Sequence, residues 1–208
     1  MRIVKIEKSK HKRQRVLVYL EEGDLLRVTE SELARFGLYP GMDLSAEDVV
    51  QLQKTARDSE TKLQAAQISA ARMLSKKELT DRLRRKGAEP EAAAAAAERM
   101  AELGAVDDAA YAGAVVRHYV ALGYGKGRAE QELRRRGVPR ELWDEALAQL
   151  PEAGDAVRAY LRSRLRGRVP DRAEVKKLSD ALLRRGFSWN EIRPVLNELG
   201  EMQIDSDE

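Results

Sequence analysis

Glycines at alternate positions, Gly123, Gly125 and Gly127, are a weak candidate for a glycine-rich phosphate-binding loop. Such loops bind phosphate through backbone N–H groups, follow a β-strand, and lead into a Gly-Lys-Ser/Thr sequence. No strand pattern precedes Gly123, and no such lysine follows Gly127. We therefore interpret the three glycines as a flexible turn between two helices, and we expect no ATP hydrolysis by the protein itself.

Two adjacent aspartates, Asp107 and Asp108, are candidates either for a metal site or for the start of a helix. Neighbouring side chains on a helix point apart, and no third ligand is near, so we favour a helix start with Tyr111 on the packed face. The two histidines, His11 and His118, lie in basic segments and are interpreted as surface or packing groups. No metal or other cofactor is expected. The absence of Cys excludes disulfides and thiolate chemistry.

The stretch around Gly137 predicts a helix, a sharp stop and a second helix. Three cations at 134–136 occupy the last turn of the first helix, where the helix dipole favours positive charge. Gly137 has the character of a left-handed helix end, and Val138 is apolar, as a Schellman stop prefers. Pro139 suits the first position of the next helix because it lacks an N–H.

The same pattern recurs at Gly87 and Gly186, so the three glycines are about 50 residues apart. A regular period of this length is typical of repeat proteins. We predict a mainly all-α fold of three tandem three-helix repeats in an elongated array, with a small β-rich N-terminal module. The predicted segments are the β-rich module at 1–45, a helical linker at 46–62, repeats at 63–104, 105–151 and 152–200, and an acidic frayed tail at 201–208.

The N-terminal module is predicted from alternation and turn signals. Residues 2–6 alternate basic and apolar, and Val16–Leu20 and Leu25–Val28 flank an acidic loop, which indicates a hairpin. Thr29 and Glu32 form a capping box for a short helix. Together these signals predict a β-hairpin followed by a short helix.

The charge of the chain is segregated along its length. The net charge is +3, but residues 117–193 carry 18 basic and 11 acidic residues, and the last eleven residues carry five acids and no base. A basic second half favours a polyanionic partner or an acidic protein surface, although arginines also simply solvate helix faces. Charged residues make up 35% of the chain and aromatic residues 5%, which is typical of a solvated helical protein rather than an α/β enzyme. Without an apolar leader or membrane-length run, we expect a soluble cytoplasmic protein.

Several motifs taken in order resemble the RecX regulatory proteins. Ser75-x-x-Glu78-Leu79 leads to Leu83 and Lys86-Gly87, and Leu103-Gly104 leads to Asp107-Asp108-x-x-Tyr111-Ala112. The Gly123-x-Gly125 turn, Glu132-Leu133, Gly137-Val138 and Ala146-Leu147 continue the likeness. It covers about residues 62–200, and the first 45 residues resemble an N-terminal extension that some members carry.

The resemblance implies a regulatory role rather than an enzymatic one. RecX proteins bind the RecA recombinase, and they are thought to lie in the groove of the RecA–DNA filament and to restrain ATP hydrolysis and strand exchange. The implied processes are homologous recombination, DNA repair and the SOS response. The implied partners are the RecA filament and single-stranded or double-stranded DNA, with no membrane, and the protein is expected to be a monomer. The implied contact residues are Arg84, Arg85, Lys86, Arg134, Arg135, Arg136, Arg162, Arg164, Arg166, Arg168, Arg184 and Arg185.

Two other classes of function are alternatives. A sequence-nonspecific nucleic-acid-binding helical protein, acting without RecA, would show steeply salt-dependent DNA binding and no effect on RecA. An enzyme fits poorly, because the sequence offers no metal cluster and no nucleophile–base pair at an interpretable spacing.

Overall fold

The computed structural model describes residues 1–10 and 15–204, with side chains to residue 198. Its strands are β1 (Ile3–Lys8), β2 (Arg15–Leu20) and β3 (Leu25–Thr29). Its helices are α1 (Glu30–Arg35), α2 (Ala46–Ala71), α3 (Lys76–Arg85), α4 (Pro90–Glu102), α5 (Asp108–Ala121), α6 (Lys126–Arg135), α7 (Trp143–Leu147), α8 (Ala153–Leu165), α9 (Arg172–Arg184) and α10 (Trp189–Ile204), with a short 3-10 helix at Arg140–Leu142. The predicted class, mainly helical with a small N-terminal β module, is confirmed. His11, Lys12 and Arg13 of the basic N-terminal run and residues 205–208 of the predicted tail lie outside the described residues.

The N-terminal strands form an antiparallel sheet in the order β1-β2-β3, so the predicted hairpin is confirmed. Val16, Val18 and Leu20 alternate along β2 toward a buried core, as the two-residue period of a strand requires. The predicted capping box also forms: the hydroxyl of Thr29 accepts from the N–H of Glu32, whose carboxylate accepts from the N–H of Thr29.

Helix α2 is continuous from Ala46 to Ala71, so the segment at 46–62, predicted to be a helical linker, is helical and runs without a break into the start of the predicted first repeat. Val49 and Leu52, in its first half, pack in the core of the sheet. The polar stretch at 57–62 does not end the helix, because it contains no Gly or Pro and its polar groups are used locally. Glu60 pairs with Arg15 of β2, and the hydroxyl of Thr61 donates to a carbonyl one turn earlier.

The chain divides into two compact units. One comprises Met1–Arg72 and Leu79–Ala105, and in it α4 packs against α2. Ala93, Ala96 and Ala97 are buried on α4, as expected of an alanine run at a close helix–helix contact.

The second unit comprises Met73–Glu78 and Val106–Glu208. Here α5, α6 and α7 share one apolar core, and α8, α9 and α10 share another. In both groups the first helix packs against the third. Helix α10 extends to Ile204, so the helix continues into the segment predicted to be a frayed tail.

The three predicted glycine stops are confirmed. Gly87, Gly137 and Gly186 follow α3, α6 and α9 and have φ values of 92°, 66° and 87°. At Gly137 the two reverse hydrogen bonds of a Schellman stop are present, from Gly137 N–H to Arg134 and from Val138 N–H to Leu133, each at 3.0 Å.

Candidate functional site

The twelve residues predicted to contact a partner lie at or just beyond the C-terminal ends of four helices. They follow or end α3 (Arg84, Arg85, Lys86), α6 (Arg134, Arg135, Arg136), α8 (Arg162, Arg164, Arg166, Arg168) and α9 (Arg184, Arg185). Helix C-termini carry partial negative charge, so all four groups complement a helix dipole. The first group belongs to one compact unit and the other three to the second.

A buried acid, Glu132, holds part of the α6 group. Only 4% of its surface is exposed, and Arg135 donates two hydrogen bonds to its carboxylate at 2.7 and 3.0 Å. Arg128 and Arg136 add ion pairs at 3.2 and 3.5 Å. Burial by itself raises the pKa of the Glu132 carboxyl, but the hydrogen bond and charge of Arg135 and the charge of Arg128 outweigh burial, and the pKa lies below the usual glutamate value. Two donor nitrogens of Arg135, Nε and Nη2, are therefore engaged within the fold.

Arg136 is held by a second polar network. Its guanidinium donates to the hydroxyl of Tyr111, which in turn donates to the carboxylate of Glu78 at 2.7 Å. The hydroxyl of Ser75 donates to the backbone carbonyl of Arg136. Burial and the neighbouring Glu78 raise the pKa of Tyr111 above that of a free tyrosine, although Arg136 opposes them, so the phenol stays protonated and keeps donating. Arg136 thereby ties the end of α6 to α5 and to the start of α3.

Arg185 closes the end of another helix. Its guanidinium donates to the carbonyl oxygens of Leu122 and Gly123, each at 3.0 Å, where α5 ends. It also lies 5.2 Å from the ring centre of Tyr124 and 5.0 Å from that of Tyr160, within cation–π range. Arg185 is thus an intramolecular cap for the carbonyls at the end of α5.

The alternate glycines form a contact rather than a phosphate loop. The N–H of Gly125 donates to the carbonyl of Arg185 at 2.9 Å, and the N–H of Gly127 donates to that of Gly186 at 3.0 Å. A turn between helices is confirmed, but it is held by these bonds rather than flexible. A Cβ at position 125 would lie 2.7 Å from the carbonyl oxygen of Gly186, so the backbones approach closely only because side chains are absent.

Five of the predicted cations are exposed and have no side-chain hydrogen bond, ion pair or ring contact within the described part of the chain. They are Arg84, Lys86, Arg162, Arg166 and Arg184, and we call them the free cations. Arg164 lies over Tyr160, which also receives Arg185, so the ends of α8 and α9 meet at this ring. Arg168 is 3.4 Å from Glu174, a long contact between exposed groups. The free cations can therefore meet a ligand without breaking any internal contact of these kinds.

Sequence reasoning missed the residues that hold the arginines. Glu132 stands three and four positions before Arg135 and Arg136, a helical spacing at which side chains meet, so its role was open to inference. Arg140 was also missed: it lies 4.5 Å from the ring centre of Trp143, which anchors the core of α5–α7 by donating to a backbone carbonyl.

Comparisons with known proteins agree with this architecture. Residues 107–147, which span α5 to α7, match the family model for the second three-helix domain of RecX. The regulatory protein RecX of Xanthomonas campestris pv. campestris is 41% identical over 123 residues, which is 57% of this chain and 75% of that protein. The regulatory protein RecX of Lactobacillus delbrueckii subsp. bulgaricus is 32% identical over 203 residues, 92% of this chain and 73% of that protein. The chain belongs to the RecX family.

The fold likeness extends over nearly the whole chain. A crystal structure of a regulatory protein RecX superimposes with a TM-score of 0.71 at 23% identity, covering 94% of this chain and 98% of that one. The family match includes Tyr111, Glu132 and the α6 arginines, but not the basic residues after α8 and α9. None of the described helices is long and apolar enough to cross a membrane.

Proposed function

We propose that this RecX protein regulates the RecA recombinase by binding the RecA filament on DNA and restraining its ATP hydrolysis and strand exchange. The observation that carries the proposal is membership of the family of regulatory proteins named RecX. The protein acts by binding rather than by catalysis, in the cytoplasm, as a monomer and without a cofactor. The processes it modulates are homologous recombination, DNA repair and the SOS response.

The free cations are the residues we assign to the partner surface. They project from helix ends, are exposed, and would lose no internal contact on binding an anion. A filament of RecA on DNA presents phosphates together with protein carboxylates, and both are acceptors for guanidinium and ammonium donors. Arg135, Arg136 and Arg185 have a mainly structural role in this proposal, because each already makes hydrogen bonds within the fold.

The test is the DNA-dependent ATPase of RecA, titrated with wild-type protein and with two matched triple variants. One variant replaces three free cations of the second unit: Arg162→Ala, Arg166→Ala and Arg184→Ala. The control replaces three exposed lysines outside the candidate groups: Lys54→Ala, Lys62→Ala and Lys176→Ala. Both variants lose three positive charges, so net charge is matched.

We expect wild type and the control to inhibit at similar concentrations, and the free-cation variant to need about tenfold more protein, because contacts with phosphate and carboxylate contribute affinity that depends on salt. Equal inhibition by the two triple variants would refute the site assignment. No inhibition by the wild type would refute the function.

A DNA-binding role without RecA is the second candidate, and the free cations at helix ends favour it too. It predicts salt-dependent binding of the wild type to DNA and an unchanged RecA ATPase in the same titration. The ATPase assay therefore separates the two candidates.

A further inference from the structure

Arg166, at the end of α8, has a backbone conformation that is unfavourable for its residue type. Its φ of 51° and ψ of 41° lie in the left-handed helical region. Ten described residues have positive φ, and nine of them are glycines. A side chain destabilises this conformation because Cβ approaches the following carbonyl oxygen. At this one described position, the chain keeps an arginine where it otherwise places glycine.

Helix α5, in the same unit, ends with a left-handed glycine, whereas α8 ends with the left-handed Arg166. Helix α5 ends with Leu122 as its cap, and Gly123 takes the left-handed conformation with φ of 72°. Helix α8 reaches the left-handed region one residue earlier, at Arg166, and Gly167 follows with φ of 80°. The fold alone does not explain the arginine, because its side chain is exposed and makes no hydrogen bond, ion pair or ring contact with the described residues.

The turn after α8 is rich in hydrogen-bond donors. Arg162 and Arg166 are one helical turn apart, since the N–H of Arg166 donates to the carbonyl of Arg162 at 3.0 Å, and both guanidiniums are free. The N–H of Arg168 donates to the carbonyl of Leu165, but the N–H of Gly167 has no backbone acceptor within the described residues. Two unpaired guanidiniums and one open amide thus lie on a single turn.

The acids near this turn are already engaged. The carboxylate of Asp171 accepts from the N–H of Glu174 at 2.7 Å and caps α9. The carboxylate of Glu174 accepts from the N–H of Asp171 at 3.4 Å. Glu174 is also the acid that faces Arg168. No carboxylate of this turn therefore neutralises Arg162 or Arg166, and the ligand that suits them is an anion from outside.

We infer that the α8–α9 turn binds the phosphodiester backbone of DNA, and that Arg166 keeps its unfavourable conformation because its guanidinium contacts a phosphate. A guanidinium binds phosphate oxygens in a bidentate fork, and backbone amides beside left-handed residues form concavities that bind anions. Successive phosphates along one strand suit two arginines one helical turn apart, whereas carboxylates on a protein surface have no such regular spacing. The inference rests on the proposed function only in placing DNA beside the protein.

Three substitutions at this position separate binding from backbone strain. Arg166→Ala removes the charge and keeps the unfavourable φ, Arg166→Gly removes both, and Arg166→Lys keeps the charge and the unfavourable φ. Lys54→Ala, on an exposed face of α2, is the control for net charge. DNA affinity is measured by fluorescence anisotropy of a labelled thirty-nucleotide oligo-dT strand over a range of NaCl concentrations, without RecA, and stability by thermal unfolding.

We expect Arg166→Ala and Arg166→Gly to weaken DNA binding about fivefold and to reduce the slope of log K against log salt by about 0.7, the value for one phosphate contact on a single strand. The control should stay within about twofold of the wild type. Arg166→Lys should bind DNA more tightly than Arg166→Ala but less tightly than the wild type, because an ammonium keeps the charge and loses the bidentate fork. Arg166→Gly should raise the melting temperature by about 1–4 °C, while Arg166→Ala leaves it unchanged, because only glycine relieves the strain. Loss of binding with a gain of stability is the signature of a residue retained for contact.

The inference is overturned if Arg166→Ala binds DNA with unchanged affinity and salt slope, or if the wild type does not bind DNA at all. It is also overturned if polyglutamate competes as well as DNA at equal charge, because the turn would then recognise acidic protein. RecA inhibition is measured in parallel. Wild-type DNA binding that depends on Arg166, with no effect on RecA, would refute the proposed function and leave this inference standing. RecA inhibition by the wild type, together with a DNA affinity that is unchanged in Arg166→Ala, would refute this inference and leave the proposed function standing.

Discussion

The contact between two glycine turns in the second unit gives a prediction whose size follows from the geometry. Gly186 has a φ of 87°, and a Cβ built on it would lie 2.3 Å from the backbone nitrogen of Arg128. The partner atoms belong to the backbone, so no rotamer change relieves the overlap. Gly186→Ala must therefore push apart the turns that Gly125 and Gly127 join through their N–H groups.

Two terms contribute to the expected loss of stability. A side chain in the left-handed region destabilises the folded state by about 1–2 kcal/mol, and the lower entropy of the unfolded alanine chain offsets about 0.4–1 kcal/mol of that. Two hydrogen bonds between the turns are lost at about 0.5–1.5 kcal/mol each. The sum for Gly186→Ala is about 2–4 kcal/mol.

Gly167→Ala is the matched control. Gly167 lies in the same unit, has a φ of 80°, and has no atom within 4 Å of a built Cβ. Gly167→Ala should therefore lower the free energy of unfolding only through the unfavourable backbone conformation, by about 0.5–1 kcal/mol.

Both tryptophans of the chain, Trp143 and Trp189, lie in the second unit, so intrinsic fluorescence during urea denaturation reports on that unit. The difference between Gly186→Ala and Gly167→Ala should be at least about 1 kcal/mol. Losses that agree within about 0.5 kcal/mol would show that the two turns do not meet, and the structural role assigned to Gly125 and Gly127 would then be wrong.

Two further substitutions test the polar contacts that hold the arginines. Glu132→Gln should destabilise the protein by about 1–3 kcal/mol at neutral pH, because three guanidiniums lose their charged partner. The pKa of Glu132 is lower in the folded state than in the unfolded state, so its contribution is present above the unfolded glutamate pKa of about 4.3 and is lost as the pH falls through the lower folded value. Urea midpoints from pH 7 to pH 3 should therefore fall less steeply for Glu132→Gln than for the wild type, and parallel curves would contradict the linkage. Arg185→Ala should lower the free energy of unfolding by about 1–3 kcal/mol, because the carbonyls of Leu122 and Gly123 lose their donor. Its affinity for oligo-dT should stay within about twofold of the wild type. A large loss of affinity in a variant of unchanged stability would show that Arg185 belongs to the binding surface.

Local features of the fold were predictable because they depend on neighbours in sequence. The capping box of Thr29 and Glu32 and the stop at Gly137 both formed where composition placed them. A cap requires one side chain to reach an N–H three residues away, so spacing alone determines it.

Long-range contacts were not predictable in the same way. Nothing near Arg185 in sequence indicates that its guanidinium bonds to residues 122 and 123, about sixty positions earlier. The two glycine turns likewise meet through backbone hydrogen bonds between residues about sixty positions apart, such as Gly125 and Arg185. The left-handed conformation of Arg166 had no sequence signal either, since arginine is an unusual choice for it. Assigning arginines to structure or to binding therefore required the fold.

The three glycine stops show how one residue can decide the role of its neighbours. Counted back from the glycine, the fifth position holds Arg82 before Gly87, Glu132 before Gly137, and Ala181 before Gly186. Of the three stops, the one at Gly137 has an acid, Glu132, at this position. Glu132 forms a buried ion pair with Arg135, the cation two positions before the glycine.

In the other two stops the same position holds Arg85 and Arg184. Within the described residues, Arg85 bonds to a backbone carbonyl alone and Arg184 is one of the free cations. The cation next to the glycine follows a different rule. Arg136 and Arg185 are both held by groups distant in sequence, whereas Lys86 has no side-chain contact within the described residues. The basic run is thus one local pattern used in two ways, because every copy complements a helix dipole, whereas only a copy without an internal partner keeps its charge available for an external anion.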